Sequence, residues 1–261
     1  MLIQASCFLD FTCENPVPTT FMLRAKSGFG QFIIRDELHT KPYCTATEFT
    51  DNYGNLCQRM VLPVGNSRLE SSVLADCRSD IDVDFSAGWT AVEYLPDFVL
   101  HFILPSRYCE SDKMADIAME IVQGCNPGYE QVDAICRWIN TNVRYQYGTT
   151  NSSTSAYDIL SSQTGVCRDF AHLGISLSRA LDIPARMVTG YLYDLNPMDL
   201  HAWFEVYLAG RWFCFDPTQA APRGNRINVA YGRDAADVAF ATHFGNVELN
   251  EMIVRVDEKL P

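Results

Sequence analysis

Residues 164–184, TGVCRDFAHLGISLSRALDIP, constrain this chain more than any other stretch. Phe170, Leu173, Gly174, Leu177 and Leu181 recur at the offsets of one helical face, and Pro184 cannot continue a helix. The spacing predicts a buried helix with Cys167 at its amino end. Unpaired N–H groups and the positive end of the helix dipole favour an anion there, so the position suits a reactive sulfur. Taken alone the cysteine says little, because free cysteine is among the most buried residue types.

Two later runs give it company. HAWFEVYL (201–208) and RWFCFDPT (211–218) flank Ala209 and Gly210, the pattern of an antiparallel hairpin with a two-residue loop. In that register Leu208 faces Arg211, Val206 faces Phe213, Phe204 faces Phe215 and Trp203 faces Asp216. Side chains alternate along a strand, so His201 and Trp203 share a face. Asp216 becomes a diagonal neighbour of His201, roughly 7–8 Å away between backbones and within side-chain reach. A one-residue slip would send Asp216 to the other face. The pattern thus predicts a carboxylate orienting an imidazole, with the thiol of Cys167 completing the set. Such a thiol attacks an acyl carbon as thiolate. The imidazole takes its proton and later protonates the leaving amine, while the carboxylate fixes the tautomer.

The words GVCRDFAHL, IPARMVTGYL, HAWFEV and WFCFDPT, in that order within residues 155–218, resemble the transglutaminase-like superfamily of papain-related enzymes. The weaker pattern LDFTCENPVPTTFML, followed by NYGNLCQRMVLPVG, is similar to the β-rich domain that precedes the catalytic core in bacterial cysteine proteases of this type. The resemblance implies Cys167 as nucleophile, His201 as base and Asp216 as orienter, in acyl transfer on peptide or amide substrates through a thioester. Water as acceptor makes a peptidase or amidase, and an amine makes a transglutaminase. Hydrolysis is favoured because water is always available and no amine site is visible in the sequence. A non-catalytic binding protein on the same fold is the competing class, and the complete set of three residues weighs against it. A thiol–disulfide enzyme would need a second cysteine near Cys167. The expected architecture is α+β: an antiparallel β-sandwich over residues 1–105, then a papain-like, transglutaminase-like core of helices packed on an antiparallel sheet over residues 106–261.

A net charge of -12 argues against nucleic acid and against an anionic membrane surface as partners, since both need a basic face. The expected partner is a peptide or protein substrate. Ten cysteines contain no CxxC pair, and a zinc site at Cys167 and His172 would lack two further ligands, so neither metal nor organic cofactor is expected. The opening MLIQASCFLDFTC has no basic start, and Asp10 interrupts its apolar run, unlike a signal peptide. No run reaches the ~20 apolar residues of a membrane span. A reduced, cytoplasmic protein is expected.

Residues 1–104 read as short strands and turns, with no catalytic group evident, and Pro105 breaks the last of them. Ser111 offers an N-cap for a helix bearing Met114, Ile117, Ala118 and Ile121, and a second helix spans about residues 131–142. Ser155 and Asp158 form a capping signal before a short helix. Residues 185–193 read as a strand with Gly190 as a bulge, and the loop 194–200 should border the cleft. Trp203 is expected to wall the substrate site, the alternative being that it covers the hairpin. Arg168 is expected in an ion pair or in solvent, Asp169 partly buried with a partner, and His172 packed. Arg223, Arg226 and Arg233 either receive a substrate carboxylate or pair with Asp234 and Asp237. For the oxyanion, the N–H of Cys167 is the natural first donor, with Gln163 or the Trp203 side as sources of the second.

Overall fold

The computed structural model describes residues 1–28 and 30–259; residues 260–261, the end of the expected catalytic half, lie outside them. Alternation governs the first strands. In β1 (Leu2–Cys13), Ile3, Ala5, Cys7 and Leu9 are buried while the residues between them are half-exposed, so one face is committed to a core. β2 (Val17–Phe21), β3 (Gln31–Lys41), β4 (Thr47–Thr50), β5 (Leu56–Leu62) and β6 (Gly65–Cys77) follow. They build two antiparallel four-stranded sheets with orders β14-β1-β6-β3 and β13-β2-β5-β4, in which β13 is Ala241–His243 and β14 is Glu248–Glu258. Inward side chains of both sheets share one core, with the Phe11 and Phe21 rings 5.9 Å apart across it. The expected sandwich is present.

The last strand, β14, completes the N-terminal sheet. It pairs with β1 from Ile3↔Glu258 to Thr12↔Glu248. Sheet membership therefore crosses the linear division at residue 105. Without β14 the outer edge of β1 would present a long row of unpaired backbone groups.

Residues 97–100, read in the sequence as part of the strand-and-turn half, form a short helix, α1 (Asp97–Leu100), and α2 (Ala115–Ile121) and α3 (Tyr129–Asn142) follow in the second half. Ser111 lies in a separate single turn before α2, whose cap is Met114 without a side-chain bond, so the anticipated serine cap is not made. After β7 (Arg144–Tyr145), Ser155 does cap α4 (Ala156–Ser162), and the Asp158 carboxylate accepts the Ser155 N–H at 2.9 Å. β8 (Thr164–Gly165) leads into α5 (Cys167–Arg179), and β9 (Ala185–Leu192), β10 (His201–Leu208), β11 (Arg211–Phe215) and β12 (Arg226–Gly232) form an antiparallel sheet of order β11-β10-β9-β12.

α5 is buried on both sides. Phe170, Leu173 and Leu177 join a core with α2, α3 and α4, while Ala171 and Ile175 join the larger core under the sheet. Gly174 is required at the sheet side, since a Cβ there would sit 2.4 Å from the Phe204 ring. Ser176 and Ser178 tolerate full burial by donating to the carbonyls of His172 and Gly174, both at 2.8 Å.

The irregularity near Gly190 lies on the other strand. β12 carries one extra residue between Asn228 and Ala230, which pair with Gly190 and Thr189 of β9. Gly190 is needed because the Ile227 carbonyl would lie 1.9 Å from any Cβ placed there. Gly190→Ala is expected to destabilise the fold by at least ~2 kcal/mol, seen as roughly 4–8 °C in thermal denaturation. A loss under ~1 °C would show that β9 and β12 can separate freely at this point.

Candidate active site

Cys167 is the first residue of α5, and the backbone before it is held by a carboxylate. Asp169 is fully buried and accepts the Val166 N–H at 2.9 Å, the Thr150 hydroxyl at 2.7 Å and the Arg168 guanidinium at 2.9 Å. Arg168 and Asp169 therefore pair with each other. Asp169 is buried more completely than its position in the helix suggested, because it caps the helix start from inside.

The hairpin register is the one expected, with Leu208↔Arg211, Val206↔Phe213 and Phe204↔Phe215 paired. It brings Asp216 to His201: Nε2 of the ring lies 2.7 Å from Oδ2 of the carboxylate. The same Oδ2 accepts from Nη2 of Arg226 at 2.8 Å, and Oδ1 accepts the backbone N–H of Thr218 at 3.1 Å and its hydroxyl at 2.6 Å. Burial pushes the Asp216 carboxyl up, but the charges of His201 and Arg226 and these hydrogen bonds outweigh it, holding the carboxyl well below the usual range. Burial pulls the His201 imidazole down, yet the charge and hydrogen bond of Asp216, joined by the Cys167 side chain, raise it to about 9. With Nε2 engaged by Asp216, Nδ1 is the ring nitrogen left for the sulfur. Cys167, His201 and Asp216 are thus brought together.

Trp203 is placed differently from expectation. It is fully buried, with its ring 5.9 Å from that of His201 and the Arg226 guanidinium 4.7 Å above it. It backs the imidazole instead of walling the cleft. The three arginines part company as well. Arg226 serves Asp216, Arg223 donates to the carbonyls of Tyr193 and Asp194, and Arg233 pairs with Asp237 at 3.0 Å. Asp234 takes the Tyr108 N–H at 2.8 Å. His172 is packed as anticipated: it stacks on Tyr108 at 5.2 Å, its Nε2 accepts the Ala235 N–H at 3.1 Å, and burial pulls it down to about 4.

Neither anticipated source of a second oxyanion donor is among the residues lining the cavity that Cys167 and His201 share. Gln163 is an exposed, left-handed residue ending α4, and Trp203 is sealed in the core. Tyr145, not singled out by the sequence, lies beside the Cys167 backbone. β7 and β8 pair in parallel with Tyr145 opposite Gly165, and the Gln146 N–H bonds to the Gly165 carbonyl at 2.9 Å. This sets the Tyr145 hydroxyl beside the Cys167 backbone N–H and next to the Tyr147 hydroxyl, which in turn donates to Oδ2 of Asp199 at 3.3 Å.

Cys167 and His201 open onto a cavity of about 360 Å³. Met187 and Thr189 of β9 line it from the core sheet, and Leu23 and Met252 line it from the sandwich. The N-terminal half, which carries no catalytic group evident in its sequence, thus supplies apolar wall. No group of three or more His, Cys, Asp or Glu side chains suited to a metal ion is found among the described residues. No helix among them is long and apolar enough to cross a membrane.

Comparison with known proteins bears on the fold and the family. Residues 115–217 match the family profile described as the transglutaminase-like superfamily. The chain superimposes with a TM-score of 0.92 on the crystal structure of a protein from Cytophaga hutchinsonii proposed to be a cysteine protease, at 36% identity, covering 100% of this chain and 92% of that one. An uncharacterised protein of Mycobacterium leprae is 27% identical over 246 residues, 88% of each chain. One from Mycobacterium tuberculosis is 37% identical over 115 residues, 38% of this chain and 37% of its own.

Proposed function

This chain belongs to the transglutaminase-like superfamily, and from that premise we propose that it is a cysteine-nucleophile enzyme hydrolysing peptide or amide bonds through a thioester. The observation that carries this reading is the His201 imidazole, fixed at 2.7 Å on Asp216 with the Cys167 side chain against its ring. His201 takes the proton of Cys167, and the sulfur adds to the substrate carbonyl carbon. The oxygen of the adduct gathers charge beside the Cys167 N–H, with the neighbouring Tyr145 hydroxyl as the second donor. As the C–N bond breaks, the imidazolium returns its proton to the departing amine, leaving a thioester on Cys167. Water, deprotonated by His201, then attacks the thioester and releases the carboxylic acid. Asp216 holds the ring in one tautomer throughout, and Arg226 and Thr218 hold Asp216.

The reading takes a peptide or protein as substrate and needs no metal or organic cofactor. All ten cysteines are free thiols, and the reading assumes a reduced, cytoplasmic setting. Labelling with iodoacetamide at neutral pH tests it, with intact and peptide-level mass spectrometry. Cys167 should react faster than Cys44, a partly exposed thiol that serves as internal reference, and the fast site should vanish in Cys167→Ala. Incubation with an activated acyl ester should add one acyl mass at the same position. A Cys167 that reacts no faster than Cys44 would remove the nucleophile and the reading with it.

A further inference from the structure

The loop between β9 and β10 delivers a carboxylate into the cleft. Asp199 lines the cavity together with Cys167 and His201. Its Oδ1 accepts the Leu200 N–H at 2.8 Å and its Oδ2 the Tyr147 hydroxyl at 3.3 Å, both neutral donors. No lysine, arginine or histidine among the described residues forms an ion pair with it. The two cations nearest the cleft are already committed, Arg168 to Asp169 at 2.9 Å and His201 to Asp216 at 2.7 Å. Much of the surrounding wall is apolar, from Leu23, Met187, Val238, Phe240 and Met252. Burial raises the Asp199 carboxyl, and its charge adds to the burial that pushes the Cys7 thiol of β1 up to about 12. A carboxylate so placed, with the His201 charge nearby but no cation in direct contact, gains most from a positive group that arrives with a ligand. The chain's net charge of -12 draws cationic molecules toward it as well.

We infer that Asp199 is a subsite for a cationic group, an ammonium or a guanidinium, carried by the acyl substrate close to the carbonyl under attack. The inference rests on the acyl-transfer reading and adds the class of substrate: basic peptides in preference to neutral or acidic ones. Asp199 acts on binding, one side chain away from the reacting atoms.

Two measurements test it, and neither needs the natural substrate. The first compares the rates at which Cys167 reacts with trimethylammonioethyl and sulfonatoethyl methanethiosulfonate at pH 8, followed on the Cys167 peptide. Asp199→Asn should lower the cationic-to-anionic rate ratio about tenfold, as expected for removing one charge within several ångströms in a medium of intermediate dielectric. Asp199→Glu should retain the ratio. The second uses peptidyl aminocoumarin amides that differ only in carrying lysine, norleucine or glutamate beside the scissile bond. The lysine-to-norleucine ratio of kcat/KM should fall about tenfold in Asp199→Asn. Asparagine keeps an acceptor oxygen for the Leu200 N–H, so the variant retains the loop. Ratios within twofold of wild type, with Cys167 still reactive, would overturn the subsite and leave the nucleophile standing. So would a charge preference that follows an added free amine, seen as an amine-bearing product. A Cys167 inert to both reagents would instead overturn the acyl-transfer reading, and the subsite with it.

Discussion

Asp216→Asn is expected to lower kcat for amide hydrolysis by about 10⁴-fold while leaving the fold intact, the size of loss that follows when a triad imidazole is held in the wrong tautomer. The asparagine oxygen can take the place of Oδ1 and accept from Thr218, which donates to it at 3.1 and 2.6 Å. Its amide nitrogen then stands where Oδ2 accepts from both His201 and Arg226, and a donor meets two donors. The ring must turn its lone pair to that amide and keep its proton on the nitrogen nearest the sulfur. It can no longer take the proton of Cys167. The same substitution moves the pH dependence. In the native protein burial lowers the imidazole, but Asp216 and Cys167 raise it to about 9, so protonation favours the folded arrangement. That contribution is complete below the ordinary histidine value of ~6.5 and is lost as pH rises through about 9. The His201 ring, followed by NMR, should therefore lose its proton near pH 9 in wild type and at lower pH in Asp216→Asn. A loss of kcat under tenfold with an unmoved His201 titration would take Asp216 out of the orienting role.

The parts of this site that were legible in the sequence are those governed by local geometry. Ala209 and Gly210 both have positive φ, 47° and 84°, the two-residue turn that leaves the strands no freedom to slip. The register of β10 and β11 followed from that turn, and with it the meeting of His201 and Asp216. The helical period of residues 167–179 likewise revealed where α5 begins. What alternation could not supply is depth. It placed Trp203 on the face of His201 correctly, but whether that face meets solvent depends on β12, whose Arg226 covers the indole. Arg226 itself looked like one of three neighbouring cations. Its assignment to Asp216 requires β12 to lie against β9, a crossover contact that no local pattern encodes. β14 poses the same problem, because its alternation was visible and its partner, at the other end of the chain, was not.

Tyr145 was missed for a related reason, since a two-residue strand has no period to detect, yet its substitution should have the second-largest effect. Tyr145→Phe is expected to lower kcat by 10²–10³-fold, roughly the cost of one oxyanion donor, with KM changed little. The ring would keep its packing against Phe170 at 5.7 Å and Tyr147 at 5.5 Å, so only the hydroxyl is lost. Burial, reinforced by the neighbouring Cys167, raises that hydroxyl's pKa well above its ordinary value, which keeps it a proton donor across the working range. A purely structural hydroxyl would act through Tyr147, whose own hydroxyl reaches Asp199 at 3.3 Å. Tyr147→Phe breaks that link while leaving the Tyr145 hydroxyl in place, and should cost less than tenfold in kcat. Cys167 should still react with iodoacetamide in both variants, because alkylation builds no oxyanion. If Tyr145→Phe and Tyr147→Phe lower kcat equally, or if Tyr145→Phe raises KM alone, the second donor must be sought elsewhere and the Cys167 N–H acts without Tyr145.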